Sequence, residues 1–303
     1  AIPGWRAALS NSEMRDQLNS VGAVICAAGS GLAPADRKLY ALRDVTGTVE
    51  AIPLIASSIM SKKIAEGTGS LVLDVKVGSG AFMKTPELAR ELAETLVALG
   101  ADAGVKTSAL LTDMSTPLGL KIGNALEVEE SVEVLSGAGP ADVRELTIAL
   151  ASEMLRLAGK PDVDVAAALD DGRALAKWRD MIRAQGGDPD APLPVAKHTH
   201  TLTASTSGVL TRLDALAVGT ASWLLGAGRA RKEDSVQFGA GVTLHAQVGQ
   251  SLAAGQPLMT LHTDEPNRFE RATAALNGAY SIEPSSPVVE RKIIIDQILY
   301  VES

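Results

Sequence analysis

Three side chains in the first quarter of the chain have the chemistry to hold a flat polar ring: Arg43, Ser58 and Lys62. Arginine offers a planar fork of N–H donors that suits a carbonyl oxygen, lysine a mobile positive charge, and serine a hydroxyl that donates or accepts. Ser58 and Lys62 have i, i+4 spacing and share one face of a helix, while Arg43 approaches from the preceding element. The alternative is that Arg43 forms a surface pair with Asp44 and that Lys62-Lys63 is a solvated helix end.

These residues lie where predicted helices and strands alternate. Apolar residues recur every three to five positions between Thr48 and Glu66, which predicts a helix that starts near Pro53 and has Gly67 just after its end. Val21 to Ala28 is predicted as a buried strand because it is a short apolar run before glycines. Ser70 to Val77 is rich in β-branched residues and predicts a second strand.

The same alternation continues along the chain. Gly78-Ser79-Gly80 fits a tight strand-to-helix turn better than an anion-binding loop, and Thr85-Pro86 opens a helix. Further elements are a strand from Lys106 to Thr112, a helix that begins near Asn124, and helices at Ala141–Gly159, Val163–Asp170 and Gly172–Gln185. Repeated strand–helix units predict an α/β fold with a mostly parallel sheet flanked by helices.

The pattern changes after a turn-rich connector at residues 186–194. Short alternating strands at Gly208–Leu213, Val242–Ala246 and Pro257–His262, with helices near 214–225 and 270–276, predict a C-terminal α+β lobe. We therefore predict that residues 1–34 and 68–195 form the α/β part, residues 35–67 belong to a small helical lobe with the polar residues above, and residues 196–303 form the C-terminal lobe.

Composition excludes several classes of protein. The chain is 46% hydrophobic and 21% charged, which indicates a folded core. Its formal charge of −8 and its 3% of aromatic residues argue against a nucleic-acid partner. No apolar run is long enough to predict a membrane span. The single cysteine, Cys26, cannot form an internal disulfide, so we expect a reducing, cytoplasmic location.

The segment from Tyr40 to Met83 carries the most specific pattern. It contains Y-A-L-R-D-V-T-G-T-V, then A-I-P-L-I-A-S-S-I-M-S-K-K, then D-V-K-V-G-S-G-A-F-M. Together these runs resemble the pyrimidine-base site of the thymidine and pyrimidine-nucleoside phosphorylase family, with small departures such as Gly47 and Ala51. The resemblance extends over nearly the whole chain. It implies reversible phosphorolysis of thymidine or uridine to the free base and a pentose 1-phosphate, in pyrimidine salvage.

The resemblance also implies roles for individual residues. It assigns Arg43, Ser58 and Lys62 to the pyrimidine, where cationic donors would meet the negative charge that develops on the departing base. It makes Val49 and Ile59 apolar neighbours of the 5-position of the base, together with Phe82. No organic cofactor is implied, and inorganic phosphate is the co-substrate.

A second segment, P-L-G-L-K-I-G-N-A-L-E-V-E-E, is similar to one that supplies part of a K⁺ site in some pyrimidine phosphorylases. The resemblance implies carbonyl ligands from Leu118 and Lys121 and a carboxylate from Glu130. The alternative is that Glu127, Glu129 and Glu130 form an acidic first part of a helix that suits the helix dipole.

The phosphate pocket of the family has no visible counterpart. A Lys-His-Ser run and a T-G-G loop supply it in the family, and neither occurs in these 303 residues. We therefore expect that the chain lacks an N-terminal phosphate-binding segment, that its catalytic residue, a histidine in the family, lies outside it, and that it does not turn over phosphate alone.

Two alternatives follow from that expectation. One is a non-catalytic module that binds a base or is purely structural, and the other is a related enzyme such as a nucleoside-monophosphate phosphorylase or anthranilate phosphoribosyltransferase. The resemblance further implies a homodimer whose lobes close around small-molecule substrates. Preference between thymidine and uridine is not readable from these residues.

Overall fold

The computed structural model confirms the α/β class. It describes residues 1–27, 32–36, 38–39, 51–229, 231, 234–284 and 291–301. The helices are α1 Asn11–Ser20, α2 Ile52–Ala65, α3 Pro86–Asp102, α4 Asn124–Leu135, α5 Ala141–Leu157, α6 Val165–Asp170, α7 Arg173–Ala184, α8 Ala215–Ser222, which continues as a π-helical turn Trp223–Ala227, and α9 Arg268–Ala275.

The strands form three sheets in the described part of the chain. They are β1 Ser70–Val77, β2 Lys106–Asp113, β3 Lys121–Ile122, β4 His198–Thr203, β5 Gly208–Leu213, β6 Gly241–Leu244, β7 Ser251–Leu252, β8 Pro257–Thr263, β9 Tyr280–Glu283 and β10 Ile294–Ile298. The strand orders are β1-β2-β10, β3-β6-β8-β4 and β7-β5-β9.

The first sheet contains the predicted parallel pair. β1 and β2 run parallel in register from Ser70 opposite Lys106 to Val77 opposite Asp113. β10 adds to the other edge of β2 in the antiparallel direction. The described part of this sheet thus holds one parallel and one antiparallel pair, while the other two sheets are antiparallel throughout.

α2 begins and ends where its sequence signals place it. Pro53 lies in its first turn, where a missing N–H costs nothing. Gly67 follows the C-cap residue Glu66 with φ of 73°, a left-handed conformation that glycine adopts without strain. Ile55 and Met60 pack this helix into a core shared with β1, α3 and β2. The polar residues of α2 are therefore fixed to the first sheet.

The predicted strand at Val21–Ala28 is wrong for residues 21–27, which contain no strand. The N–H and C=O groups of Ile25 bind the side chain of Gln185, a residue with no exposed surface, and Ala27 N–H binds the carbonyl of Ala7. The apolar run is thus held by one buried amide and a neighbouring loop instead of a strand ladder.

The C-terminal lobe has its own apolar core, built around Leu210, Leu225 and Leu261. The predicted strands at Gly208–Leu213 and near 242–246 and 257–262 are confirmed as β5, β6 and β8. The domain boundaries themselves stay a prediction. β3 pairs with β6, and β10 pairs with β2, so among the described residues strand pairing joins the predicted C-terminal lobe to the α/β part at two places.

None of the helices in the described ranges combines the length and the apolar character that a membrane crossing requires.

Candidate functional site

Ser58 and Lys62 lie against each other on one face of α2, as their spacing predicts. Lys62 Nζ donates to Ser58 Oγ at 2.9 Å and also contacts the Ser58 carbonyl oxygen. Ser58 is only 6% exposed, while the Lys62 side chain is 26% exposed. A cationic donor and a hydroxyl are therefore brought together at the edge of the core, with the ammonium partly open to solvent.

A third residue completes this group, and the sequence analysis missed it. Asp36 Oδ2 accepts a hydrogen bond from Lys62 Nζ at 2.7 Å, and the Asp36 side chain is 15% exposed. Asp36 ends a helical run of the described residues 34–36, and residues 38–39 are also helical. The sequence signal at this position was only that of a helix start, after Pro34, so nothing in it pointed to Lys62.

Two of the predicted apolar residues line one small cavity of about 210 Å³. Ile59 reaches it from α2, and Phe82 from the turn that follows β1, beside Ile55 and Met83. Phe82 is 54% exposed, whereas Ala81 and Met83 on either side are buried. The cavity thus has largely apolar walls from α2, β1, the following turn and α3, with Asp74 and Lys76 also in its lining and one exposed ring at its edge.

The turn that presents Phe82 is tight. Gly78 N–H binds the Met83 carbonyl at 3.0 Å, and Ala81 N–H binds the Gly78 carbonyl at 3.0 Å. Lys84 Nζ donates to the carbonyls of Ser79 and Ala81. Gly78 has φ of 127°, and a side chain there would collide with Ser115. These contacts support the turn interpretation over an anion loop. Arg43 and Val49, the remaining predicted base-site residues, lie outside the described residues.

The three predicted cation ligands line one larger cavity of about 580 Å³. Leu118 and Lys121 belong to the segment between β2 and α4, and Glu130 faces them from α4. Glu130 Oε1 accepts the Leu120 N–H at 2.8 Å, and its other oxygen lies against Gly119. The ammonium of Lys121 binds Glu129 and Glu133, at 3.0 and 2.8 Å.

Burial dominates the electrostatics of α4. Burial raises the pKa of Glu130, and the hydrogen bond from Leu120 N–H only partly offsets that effect. Burial likewise raises the pKa of Glu127, against the hydrogen bond from Gly123 N–H. The carboxylates predicted as an acidic first part of a helix are thus not a simple solvated face, because two of them face the cavity.

Arg291 fixes the loop that carries Leu118, and it too was missed. Its guanidinium donates to Asp113 Oδ2 at 2.8 Å and to the carbonyls of Thr116 and Pro117 at 2.8 and 2.9 Å. It also binds Asp142 Oδ2 at 3.2 Å. Because these residues are far apart along the chain, no local pattern could have indicated the cluster.

Within the described residues, no group of three or more histidine, cysteine, aspartate or glutamate side chains is arranged to hold a metal ion. A cation at the larger cavity would depend on backbone carbonyls in addition to Glu130.

Two family models match the chain. The model described as glycosyl transferase family, a/b domain, matches residues 1–179, and the model described as pyrimidine nucleoside phosphorylase C-terminal domain matches residues 209–283.

Relatives that align with most of this chain belong to the same family. The chain is 58% identical to a thymidine phosphorylase of Mycobacterium tuberculosis H37Rv over 299 residues, which cover 99% of this chain and 70% of that protein. It is 47% identical to a pyrimidine-nucleoside phosphorylase of Bacillus subtilis over 278 residues, 88% of this chain and 64% of the relative. A pyrimidine-nucleoside phosphorylase of Staphylococcus haemolyticus is 44% identical over 309 aligned positions, 98% of this chain and 71% of the relative.

Proposed function

The chain belongs to the family of thymidine and pyrimidine-nucleoside phosphorylases, and from that premise we propose that it catalyses the reversible phosphorolysis of a pyrimidine nucleoside. The products are the free base and a pentose 1-phosphate. The observation that carries the proposal is the buried Ser58–Lys62 pair of α2, which lies on the helix that also presents Ile59 to an apolar cavity.

The chemistry requires donors at the base. Inorganic phosphate attacks C1′ of the sugar, the bond from C1′ to the base breaks, and its electron pair leaves with the pyrimidine. Negative charge then spreads over N3 and the two carbonyl oxygens, where fixed cationic donors stabilise it. In the proposed site Lys62 supplies an ammonium, Ser58 a hydroxyl at N3, and Arg43 a second cation.

Apolar contacts are proposed to hold the face and the 5-position of the base. Ile59 and Phe82 line the smaller cavity, and Val49 is assigned to the same group by the sequence pattern. A cavity with largely apolar walls and a few convergent polar groups is the usual form of a small-molecule site.

A K⁺ ion is proposed between Leu118, Lys121 and Glu130. The fit rests on Glu130, which is 6% exposed and has a raised pKa because burial penalises its charge. A monovalent cation bound there would offset that charge, and backbone carbonyls are the hard oxygen ligands that such an ion prefers. The Lys121 ammonium does not take the place proposed for the ion, because it forms ion pairs with Glu129 and Glu133.

We further propose a homodimer in the cytoplasm. The free thiol of Cys26 fits a reducing compartment. The dimer is an extension from the family, and sedimentation of the purified protein tests it, with a single species at the monomer mass as the contrary result.

The direct test measures phosphate-dependent release of base from thymidine and uridine by the purified protein. We expect release from protein that carries the Lys-His-Ser run and the T-G-G loop in addition to these 303 residues, with the ratio of the two rates giving the preferred nucleoside. Ser58→Ala should lower kcat/KM about two- to tenfold, the range for one neutral hydrogen bond. Ser57→Ala is the matched control, since Ser57 is exposed and its hydroxyl donates, among the described residues, to the Leu54 carbonyl of the same helix.

The contrary outcomes are distinct. Binding of thymine without phosphate-dependent release would favour the base-binding module over the enzyme. If the protein shows no release of base and no binding of thymine, the proposed function is overturned.

A further inference from the structure

We propose that Asp36 is a positioning residue for base recognition, which acts by holding the ammonium of Lys62; the inference rests on the proposed function. Asp36 Oδ2 lies 2.7 Å from Lys62 Nζ. Asp36 comes from the helical residues 34–36, whereas Lys62 and Ser58 are on α2. The lysine is therefore held from two elements, not only along its own helix.

The geometry accounts for each donor of the ammonium. A lysine ammonium has three N–H donors and no acceptor. Among the described residues, three acceptors surround Lys62 Nζ: Asp36 Oδ2 at 2.7 Å, Ser58 Oγ at 2.9 Å, and the Ser58 carbonyl oxygen. A carbonyl oxygen of a pyrimidine can therefore receive a Lys62 donor only if one of these three acceptors gives up its place.

The acceptors differ in how readily they are replaced. The bond to the Asp36 carboxylate joins two charges and is the strongest of the three, whereas the bond to the Ser58 hydroxyl joins a charge to a neutral group. Exchange at the hydroxyl has a second advantage, because it frees an acceptor position on Ser58 Oγ for the N3–H of the same ring. Base binding thus opens the Ser58–Lys62 contact and keeps the Asp36–Lys62 contact.

Because the Asp36–Lys62 ion pair is partly buried, it holds the lysine ammonium more firmly than a surface ion pair would. The two side chains are 15% and 26% exposed, whereas Lys63 and Glu66 on the same helix are 38% and 35% exposed. Exposed pairs hold a side chain weakly because water and salt screen them. Asp36 therefore restricts the position of the Lys62 ammonium after the Ser58–Lys62 hydrogen bond has broken.

The experiment measures thymine binding to the purified protein by calorimetry. Asp36→Asn, which keeps the shape and removes the charge, should weaken binding about five- to tenfold. Asp36→Glu restores a carboxylate and should recover part of the loss. Glu66→Gln is the matched control, because it removes the 3.0 Å partner of the neighbouring Lys63 and should leave thymine affinity unchanged.

A double-mutant cycle separates positioning from a general structural role. In a Lys62→Met background, where thymine binding is weaker but measurable at high ligand concentration, Asp36→Asn should have no further effect. An equal loss in both backgrounds, or thymine affinity unchanged by Asp36→Asn, would overturn the inference. Failure of the unchanged protein to bind thymine would instead overturn the proposed function, and the inference with it.

Discussion

The two charged clusters of this chain are balanced in opposite ways. At α2, the cation Lys62 has a carboxylate, a hydroxyl and a carbonyl around it. At α4, the carboxylates of Glu127 and Glu130 line a cavity, where Glu130 is buried and Glu127 is exposed. They accept hydrogen bonds from the backbone N–H groups of Gly123 and Leu120, respectively.

The difference indicates what each cluster is built to meet. A cation with its counter-charge already in place can stabilise the spread charge of a departing base without attracting any free anion. A buried carboxylate such as Glu130, whose desolvation the Leu120 N–H and the charge of Lys121 only partly offset, favours a proton or a cation beside it. The first cluster is thus suited to an anionic transition state, and the second to an ion.

The largest effect is expected at Lys62. Lys62→Met should weaken thymine binding roughly ten- to hundredfold, since a hydrogen bond to a charged group is worth about 1.5–3 kcal/mol. Lys63→Met is the control, because the Lys63 side chain is 38% exposed and its ammonium pairs, among the described residues, with Glu66 on the same helix end. Equal losses of thymine affinity for both variants in a calorimetric titration would show that the two lysines act only through their positive charge. That result would contradict a specific role for the cluster at α2.

The second effect concerns the cation. K⁺ should raise the melting temperature of the protein relative to choline at equal ionic strength. At a K⁺ concentration one hundred times its Kd, the free energy of unfolding should rise by about 2.7 kcal/mol. Glu130→Gln should abolish this shift. Glu129→Gln should keep it, since Glu129 is a 56% exposed partner of Lys121. A shift that survives in Glu130→Gln would place the ion elsewhere.

A third test uses pH. Glu127 and Glu130 have a pKa above the ordinary value near 4.5, so the folded protein binds more protons than the unfolded chain between those two values. Their contribution to stability therefore falls as pH rises through that window. Replacing both with glutamine should flatten this part of the curve of unfolding free energy against pH, measured by denaturant titration without K⁺. An unchanged slope would contradict the assignment.

The smallest effect is expected at Glu13, where the pKa is lowered and the pH dependence of stability therefore has the opposite sign. The Ser10 N–H, and then the Arg6 side chain, lower the pKa of Glu13 from 4.5 to about 2. Its contribution is present above pH 4.5 and is lost as pH falls towards 2. Hydrogen exchange of the first turn of α1 should accelerate over that range, and Glu13→Gln should remove the pH dependence. Because Glu13 is exposed, global stability should change little.

The sequence predicted those parts of the fold that depend on local pattern. β1 is correct to the residue at both ends, and α2 has its proline and glycine where predicted. The i, i+4 spacing likewise predicted the contact between Ser58 and Lys62. In each case the signal lies within one element, where helix period or β-branched content determines the result.

What the sequence did not predict depends on partners far along the chain. The Val21–Ala28 run has strand-like composition, but its partners are the buried amide of Gln185 and the loop at Ala7. Asp36 and Arg291 are charged residues of ordinary appearance, and only the tertiary fold shows that one binds Lys62 and the other holds the loop before β3. Chain pattern does not encode which distant group will meet them.

The pairing of β10 with β2 has a consequence for how the protein reaches its native state. β2 is placed between a strand that precedes it closely and one that follows the whole C-terminal lobe. The edge of β2 that β10 covers therefore remains open during synthesis until the C-terminal lobe has been made. An apolar strand edge left open is a site of mispairing between chains. Loss of the last ten or so described residues should thus appear first as aggregation in the cell, before any defect in catalysis is measured.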